Sequence, residues 1–274
     1  MTRLTLTKHH GLGNDFLVAF DPDVHDPADL ARRLCDRRRG VGADGLLIAE
    51  RAEGYDARMT LYNADGSRAE MSGNGIRCFA QAVAARRGDL APQRILTDAG
   101  DRIVTLAATA DPATIEAKVE MGDVTTIDEP RGWAGLGCHP DRPVAHLSLG
   151  NPHSVVGVDE VDVVDLALLG SQVPHVNLEI IEPGPEANAV TMRVHERGAG
   201  ITEACGTGAC AAAFAARSWG LVARGDGEVV VHMDGGTATV SFAPDTPARA
   251  VLTGPATHVA TIEVVLDATA SEVT

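Results

Sequence analysis

The sequence has few lysines, few aromatic residues and no long apolar run. Of its 23 basic residues only Lys8 and Lys118 are lysines, and aromatic residues make up 3 % of its 274 residues. A net charge of −15 disfavours binding to phosphate backbones, and so few aromatic side chains offer no platform for stacked bases. No stretch approaches the roughly 18 apolar residues that suggest a membrane helix. We therefore expect a small polar ligand, and neither a nucleic acid nor a membrane, as the partner.

The cysteines and the first residues indicate a compartment. The segment MTRLTLTKHHGLGND lacks the apolar core and the small-residue cleavage site of a secretory leader. The five cysteines include no CxxC pair, and Cys138 beside His139 has no partners at the spacing of zinc ligands. We therefore expect a cytoplasmic chain with reduced thiols and no metal.

Two distant segments share the pattern E-x-[S/C]-G-[N/T]-G. Residues 70–75 read EMSGNG and residues 203–208 read EACGTG. Each is followed by an alanine-rich apolar stretch that ends in glycine, over residues 76–88 and 209–220, and we predict a buried helix for each stretch. The repeat therefore predicts a duplicated domain. The alternative is a chance recurrence of glycine turns in a chain with 29 glycines.

Matched features upstream support the duplication. Gly13-Asn14 and Gly150-Asn151 each precede an apolar segment, in the same order relative to the repeat. Most of the remaining chain is rich in runs typical of strands, at residues 4–7, 45–50, 57–62, 102–108, 114–121, 146–150, 190–196, 228–233, 237–242 and 262–266. A further helix is predicted over 26–38, with Asp26 as its N-cap and Pro27 at its first position. These elements predict an α+β fold of two similar halves, with a boundary near 122–130.

One glycine motif points away from a dinucleotide site. Residues 40–45 satisfy G-x-G-x-x-G but follow a helix and precede a strand. A dinucleotide loop requires the reverse order, from strand to helix. We therefore interpret this segment as a turn near the functional site.

Ser72 and Cys205 occupy equivalent positions immediately before the Gly-x-Gly of the repeat. At a helix start the backbone N–H groups are unpaired and the helix dipole is positive, so two such starts can hold one carboxylate. The same field predicts a more acidic thiol at Cys205. Two helix starts across a cleft suit the inversion of an α-carbon, in which one group removes a proton and another delivers one to the opposite face. The alternatives are a buried structural thiol at Cys205 and a simple helix cap at Ser72.

The longer motifs resemble those of the diaminopimelate epimerase family. They are HGLGNDF (10–16), NADGSRAEMSGNGIRC (63–78), LGNPH (149–153), VHERGAGITEACGTGA (194–209) and LTGPATHVATIE (252–263). The resemblance implies two pseudo-symmetric domains, each a barrel-like β-sheet wrapped around a central helix. The expected domains are residues 1–125, to which a strand at 256–268 returns, and residues 126–255.

The resemblance also implies a function. It implies a PLP-independent, metal-free isomerase that interconverts LL- and meso-2,6-diaminopimelate for lysine and peptidoglycan synthesis, and that acts as a cytoplasmic homodimer. Cys205 matches a catalytic cysteine, which is the base for one isomer and the acid for the other. The matched substrate contacts are Asn14, Asn63, Gly73, Asn74, Asn151, Asn177, Glu196, Arg197, Gly206 and Thr207. His153 and Glu196 match side chains that support proton transfer, and Arg197 suits a bidentate clamp on a distal carboxylate.

Ser72 is the main departure, because the family has its first catalytic cysteine there. A serine hydroxyl is a far weaker acid than a thiol and therefore a poor unaided base. Three explanations are open: an engineered substitution, a natural variant in which His153 assists the serine, or a changed reaction. The alternative functions are a proline- or hydroxyproline-type racemase or dehydratase of the same fold, and a catalytically silent amino-acid-binding homologue.

Overall fold

The structure is a computed structural model that describes residues 2–222, 227–243 and 245–266. The strands are β1 Thr2–Gly11, β2 Asn14–Phe20, β3 Gly45–Glu50, β4 Ala57–Asn63, β5 Arg68–Ala69, β6 Gln93–Thr97, β7 Gly100–Ala108, β8 Thr114–Asp123, β9 Thr125–Thr126, β10 Val144–Ser148, β11 Pro152–Gly157, β12 Asn177–Pro183, β13 Ala189–Glu196, β14 Gly200–Thr202, β15 Glu228–Met233, β16 Gly236–Ala243 and β17 Thr246–Leu266. The α-helices are α1 Pro27–Cys35, α2 Gly73–Arg87, α3 Leu166–Gln172 and α4 Gly206–Trp219. Short 3-10 helices cover Trp133–Leu136 and Val161–Val163. In the described part of the chain, no helix combines the length and the apolar character needed to cross a membrane.

The first half is a closed barrel of eight strands around α2. The pairing order β1, β2, β3, β4, β6, β7, β8 and β17 returns from β17 to β1. Helix α2 packs against strands around this ring, including β1, β2, β8 and β17. Its residues from Gly73 to Ala84 are all buried, which explains why the alanine-rich sequence carries no polar stripe.

The second half repeats this arrangement. The order β10, β11, β12, β13, β15, β16 and β17 has the same strand directions as the order from β1 to β8, with parallel pairs β11–β12 and β13–β15 matching β2–β3 and β4–β6. Strand β9 follows directly on β8 and pairs with β10, so the second sheet also surrounds its helix, α4. The predicted fold class, two barrel-like halves with central helices, is therefore confirmed.

The ends of the helices follow local chemistry. Gly88 and Gly220 end α2 and α4 in the left-handed conformation, as predicted, but both helices begin three residues earlier than predicted. Asp26 caps α1 as predicted, accepting a hydrogen bond from the Asp29 N–H at 2.9 Å. Helix α1 ends at Cys35 and not at residue 38, because the Asp36 side chain accepts hydrogen bonds from the next backbone N–H groups and forms a turn.

Several elements went unpredicted from the sequence. Strands β11 and β12 are continuous buried runs, whose periodicity does not separate a strand from a helix, and α3 has only seven residues. The predicted final strand at 256–268 is the last part of the 21-residue β17, and residues 267–268 lie outside the described residues. Strand β17 pairs with β16, β8 and β1, so it joins the two barrels.

Candidate active site

Ser72 and Cys205 are the N-caps of the two central helices. Both have extended backbone, with φ and ψ of −138° and 124° at Ser72 and −126° and 115° at Cys205. The Ser72 Oγ accepts the Gly75 N–H at 3.0 Å, and the Cys205 Sγ accepts the Gly208 N–H at 3.3 Å. The sequence repeat therefore corresponds to a repeat in local geometry.

The starts of the two helices are in contact. A Cβ added at Gly73 would lie 2.8 Å from the Gly206 Cα, so only glycine allows this approach. The Asn74 Nδ2 donates to the Ala204 carbonyl at 2.8 Å and so links α2 to the residue before Cys205. The predicted meeting of two helix starts is present in the structure.

Backbone donors without a partner in their own helix lie at this junction. The first N–H groups of an α-helix have no partner within the helix. In both helices, the cap side chain bonds the N–H of the third residue, and the two preceding N–H groups are left without a partner in their own helix. These are the N–H groups of Gly73, Asn74, Gly206 and Thr207. Together with two helix dipoles, they form a cradle for one carboxylate.

Cys205 lies in an environment that disfavours its thiolate. The side chain is buried, and burial together with the carboxyl groups of Glu196 and Glu179 raises the pKa of the thiol well above its usual value. The Thr207 hydroxyl, 3.5 Å from the sulfur, and the Gly208 N–H act in the opposite direction. The expectation of a more acidic thiol is therefore wrong, because burial and the two carboxyl groups outweigh the hydrogen bonds from Thr207 and Gly208.

Glu196 is a neighbouring carboxyl group that affects the acidity of the thiol. Burial raises the pKa of its carboxyl group, and the Thr202 hydroxyl and the Cys205 thiol act in the opposite direction. Thr202 donates to Glu196 Oε1 at 2.5 Å, which fixes the carboxyl group. A carboxyl group with a raised pKa takes up and releases protons nearer neutral pH.

His153 is completely buried and both ring nitrogens are engaged. Its Nδ1 lies 2.6 Å from Glu179 Oε1, and its Nε2 lies 3.0 Å from Asn151 Oδ1. Asn151 Nδ2 in turn donates to the Thr207 hydroxyl at 3.1 Å. Burial raises the pKa of Glu179, whose second oxygen, Oε2, has no hydrogen-bond partner among the described residues. His153 therefore belongs to a buried network beside the start of α4.

The position of His153 bears on the hypothesis that this histidine assists Ser72 in proton transfer. Within the described ranges, no hydrogen bond joins His153 to Ser72. The histidine is linked instead, through Asn151 and Thr207, to Cys205. A direct proton relay from His153 to the serine finds no support in this geometry.

The Asn14 side chain is fixed between two neighbours near the junction. Its Nδ2 donates to Asp44 Oδ2 at 2.7 Å, and its Oδ1 accepts from Asn74 Nδ2 at 3.1 Å. Asp44 is held in turn by Arg37 Nη2 at 2.8 Å. The interpretation of segment 40–45 as a turn near the site is confirmed, because Asp44 belongs to it.

Arg197, Asn177 and Asn63 complete the set of predicted contacts. The Arg197 guanidinium is partly exposed and lies 3.3 Å from Glu70 Oε2, in the loop before Ser72. Asn177 Oδ1 accepts the Arg197 N–H at 2.8 Å, and Asn63 Nδ2 donates to the Ser67 hydroxyl at 3.0 Å. Arg197 therefore lies at the rim of the site, and Asn177 fixes its backbone.

Glu179 is the residue at this site that the sequence analysis missed. Its signal was a single carboxylate within the apolar run VNLEII, where a charge is expected only with a buried partner. The structure supplies that partner as His153.

Comparisons with known proteins show the family of the chain. The family model described as Diaminopimelate epimerase matches residues 6–127 and 146–259. The chain belongs to the diaminopimelate epimerase family. A diaminopimelate epimerase from Synechocystis sp. is 37 % identical, over 93 % of this chain and 97 % of that protein. Another from Magnetococcus marinus is 39 % identical, over 92 % of this chain and 94 % of that protein.

Solved structures share the fold of this diaminopimelate epimerase family member at low identity. A phenazine biosynthesis protein of the PhzF family from Bacillus anthracis is similar with a TM-score of 0.75 and 16 % identity, over 97 % of this chain and all of that one. A hydroxyproline epimerase from Agrobacterium vitis is similar with a TM-score of 0.69 and 16 % identity, over 99 % and 93 % of the two chains. The alternative of a proline- or hydroxyproline-type enzyme is therefore matched in fold alone.

Proposed function

We propose that this chain is a PLP-independent epimerase that interconverts LL- and meso-2,6-diaminopimelate. The observation that carries the proposal is the contact between two helix starts whose caps are Cys205 and Ser72. In the proposed complex, the four unpaired N–H groups at this junction hold the carboxylate of the reacting centre. Removal of the α-proton spreads negative charge into that carboxylate, where the two helix dipoles stabilise it.

In the proposed reaction, Cys205 removes the α-proton from one face. The thiol proton first moves to Glu196, and the thiolate then takes the α-proton, leaving the electron pair on the α-carbon and its carboxylate. Ser72 donates its hydroxyl proton to the opposite face. The alkoxide at Ser72 regains a proton from solvent as Glu196 releases its own, which restores the enzyme.

The two proton-transfer groups are unequal. A carbanion is a far stronger base than an alkoxide, so Ser72 serves as an acid. As a base, Ser72 is hindered because its alkoxide is scarcely populated near neutral pH. We therefore expect exchange of the α-proton at the face of Cys205 to be much faster than inversion, which needs a proton transfer at Ser72 in either direction.

The proposal includes no lysine-bound cofactor. The two lysines support this part: Lys8 Nζ pairs with Asp15 at 2.9 Å and donates to the Gly42 carbonyl, and Lys118 is exposed on β8. Neither amine reaches the helix junction in this arrangement. In the proposal, the two helix starts stabilise the negative charge that a lysine-bound cofactor would otherwise stabilise.

The substrate's distal end is assigned to the rim. Arg197 suits a distal carboxylate, because a guanidinium binds a carboxylate with two parallel hydrogen bonds. Glu70, which now pairs with Arg197, would be displaced and would face the distal ammonium group. This pair favours a substrate with a second charged head over a compact proline ring.

Incubation with meso-diaminopimelate in D₂O tests the function. We expect deuterium to enter the α-position, with slower appearance of the LL isomer, because Cys205 acts faster than Ser72. Chiral chromatography with mass spectrometry measures both rates, and the matched control Cys205→Ala should abolish them. No exchange by the purified chain would overturn the proposal.

A second candidate function, a catalytically silent amino-acid-binding protein, is favoured by Ser72 itself. Such a protein would bind diaminopimelate in calorimetry and show no exchange in D₂O. The same experiment therefore separates the two functions.

The proposal extends to a cytoplasmic homodimer with domains at 1–125, including the returning strand 256–268, and at 126–255. Strand β17 supports the dimer: its pairing with β8 ends at Thr257, while β1 pairs along the other edge as far as Leu266. Within the described residues, one edge of 258–266 therefore lacks a strand and offers a template for a second copy. Sedimentation equilibrium tests this, and a monomeric mass would contradict the dimer.

A further inference from the structure

The two halves differ at one pair of equivalent buried positions. A Cβ at Gly75 of α2 would meet the Leu47 side chain at 3.5 Å, and a Cβ at Gly208 of α4 would meet Glu179 Oε1 at 2.7 Å. Glu179 therefore occupies, beside Cys205, the place that a core leucine occupies beside Ser72. Burying a carboxyl group is costly unless it is paired, so its presence requires a reason.

The partner of Glu179 is equally specific to the second half. His153 lies on β11 two residues after Asn151, and the equivalent position after Asn14 on β2 is Phe16. Phe16 belongs to the hydrophobic core, whereas His153 is buried against Glu179 at 2.6 Å. The polar pair thus lies on the side of the molecule that carries the thiol.

From this pair, hydrogen bonds run in one direction to the sulfur. His153 Nε2 faces the Asn151 Oδ1 acceptor, so this nitrogen carries a proton and donates it. Asn151 Nδ2 donates to Thr207 Oγ1, which leaves the Thr207 hydroxyl proton free to point at Cys205 Sγ, 3.5 Å away. In this series His153 donates to Asn151, Asn151 donates to Thr207, and the Thr207 hydroxyl donates to the Cys205 sulfur.

Glu179 determines this direction. Burial raises the pKa of Glu179, so its carboxyl group carries a proton and donates it to Nδ1 across 2.6 Å, which leaves the proton of His153 on Nε2. If His153 held its single proton on Nδ1, Nε2 would need a donor, and the Asn151 amide would have to turn. The Thr207 hydroxyl would then donate to Asn151 Oδ1, and the sulfur would lose this hydroxyl donor and keep the Gly208 N–H.

We propose that Glu179 is a positioning residue that acts through His153, Asn151 and Thr207 to aim a hydroxyl donor at the Cys205 sulfur. The proposal deepens the function above, since a donated hydrogen bond favours the thiolate that removes the α-proton. Ser72 has no equivalent series: in the described part of the chain, Asn74 donates to Asn14, and Asn14 donates to Asp44.

The test measures the thiolate directly, without substrate. Peptide mass spectrometry follows the rate of Cys205 alkylation by iodoacetamide against pH, and the midpoint of this profile reports the pKa of the thiol. Thr207→Val should raise the midpoint by about one pH unit, the size expected when a hydrogen bond to a charged group is lost. Thr207→Ser, which keeps the hydroxyl, should have the same midpoint as the unmodified chain.

Glu179→Leu distinguishes positioning from a charge effect, because it removes the donor to His153 Nδ1 and introduces the residue type that Leu47 supplies in the first half. If Glu179 orients the series, Glu179→Leu raises the midpoint, by about half a pH unit, and adds nothing in the Thr207→Val background. If Glu179 acts only as a nearby negative charge, its loss lowers the midpoint. A lowered or unchanged midpoint, or additive shifts, would overturn the proposal.

Two further variants provide a control and an independent interruption of the series. Glu182→Gln removes a carboxylate of the same strand that accepts the Val161 N–H, and it should leave the midpoint unchanged. Asn151→Leu interrupts the series in its middle and should match Thr207→Val, so the proposal stays testable if Glu179→Leu folds poorly. The readout is independent of epimerisation, so an inactive chain with the expected shifts would contradict the function and leave this inference intact.

Discussion

At the scale of single residues, the site is built from buried polar groups held by specific partners. Arg77 is completely buried, and its guanidinium donates to the carbonyls of Pro255 and Gly73 and to Asn74 Oδ1. Burial lowers its pKa to about 10, and no carboxylate pairs with it among the described residues. Arg77 thereby holds the first two residues of α2 and adds positive potential below the carboxylate cradle.

His9 predicts how the stability of the fold depends on pH. It is buried, its Nε2 has no hydrogen-bond partner in the described part of the chain, and burial lowers its pKa from 6.5 to about 4. Between pH 6.5 and about pH 4, the His9 imidazole is protonated in the unfolded chain and neutral in the folded chain. Stability is therefore lost as the pH falls through this window, by at most about 3 kcal/mol.

Urea unfolding at pH 7 and pH 4.5 measures the contribution of His9. We expect His9→Leu to lose less stability between these pH values than the unmodified chain does. The exposed His25 provides a matched control, since His25→Leu should lose as much as the unmodified chain. Equal losses in all three proteins would show that His9 does not titrate as described.

At the scale of elements, the junction depends on how closely the two helices approach. Gly73 and Gly206 face each other, and a Cβ on either would come within 3 Å of the other's backbone. Leu252 of β17 lies under both glycines, where it would meet either added Cβ at about the same distance. Because Gly73 and Gly206 have no side chains, the N–H donors of the two helices can lie this close together.

A comparison of Gly73→Ala with Gly88→Ala should show that exchange depends on the helix junction and not on stability alone. The added methyl group pushes the helix starts apart, with an overpacking cost of about 1–3 kcal/mol and a large loss of α-proton exchange. Gly88→Ala is the control: Gly88 is left-handed at the end of α2 with open space around it, so alanine costs stability there and leaves exchange intact. Full exchange by folded Gly73→Ala would contradict this role of the close approach.

The elements also show what the sequence can reveal. Local chemistry predicted β3 and β15 to the residue, and the glycine ends of α2 and α4. The repeat predicted the paired caps, because a cap depends on neighbours in the chain. Glu179 escaped prediction, because its contact with His153 depends on the register of β11 against β12. The lowered acidity of Cys205 escaped for the same reason, since its burial and nearby carboxyl groups come from distant segments.

At the scale of the whole molecule, two barrels contribute one cap each to a single site. Strand β17 belongs to both barrels, and α2 and α4 meet end to end where it passes. The chain is symmetric in its strand order but asymmetric in its chemistry. One half offers a thiol with a polar network, and the other offers a serine beside an apolar core.

The most direct measurement of this account compares inversion with exchange in Ser72→Cys. With meso-diaminopimelate in D₂O, the variant should raise the rate of inversion about 10²-fold and leave exchange at the face of Cys205 nearly unchanged, because only the weaker proton-transfer group has been replaced. Inversion that stays the same or falls in a folded Ser72→Cys protein would remove Ser72 from the proton path. The claim that the two helix starts act on opposite faces of one carbon would then be contradicted.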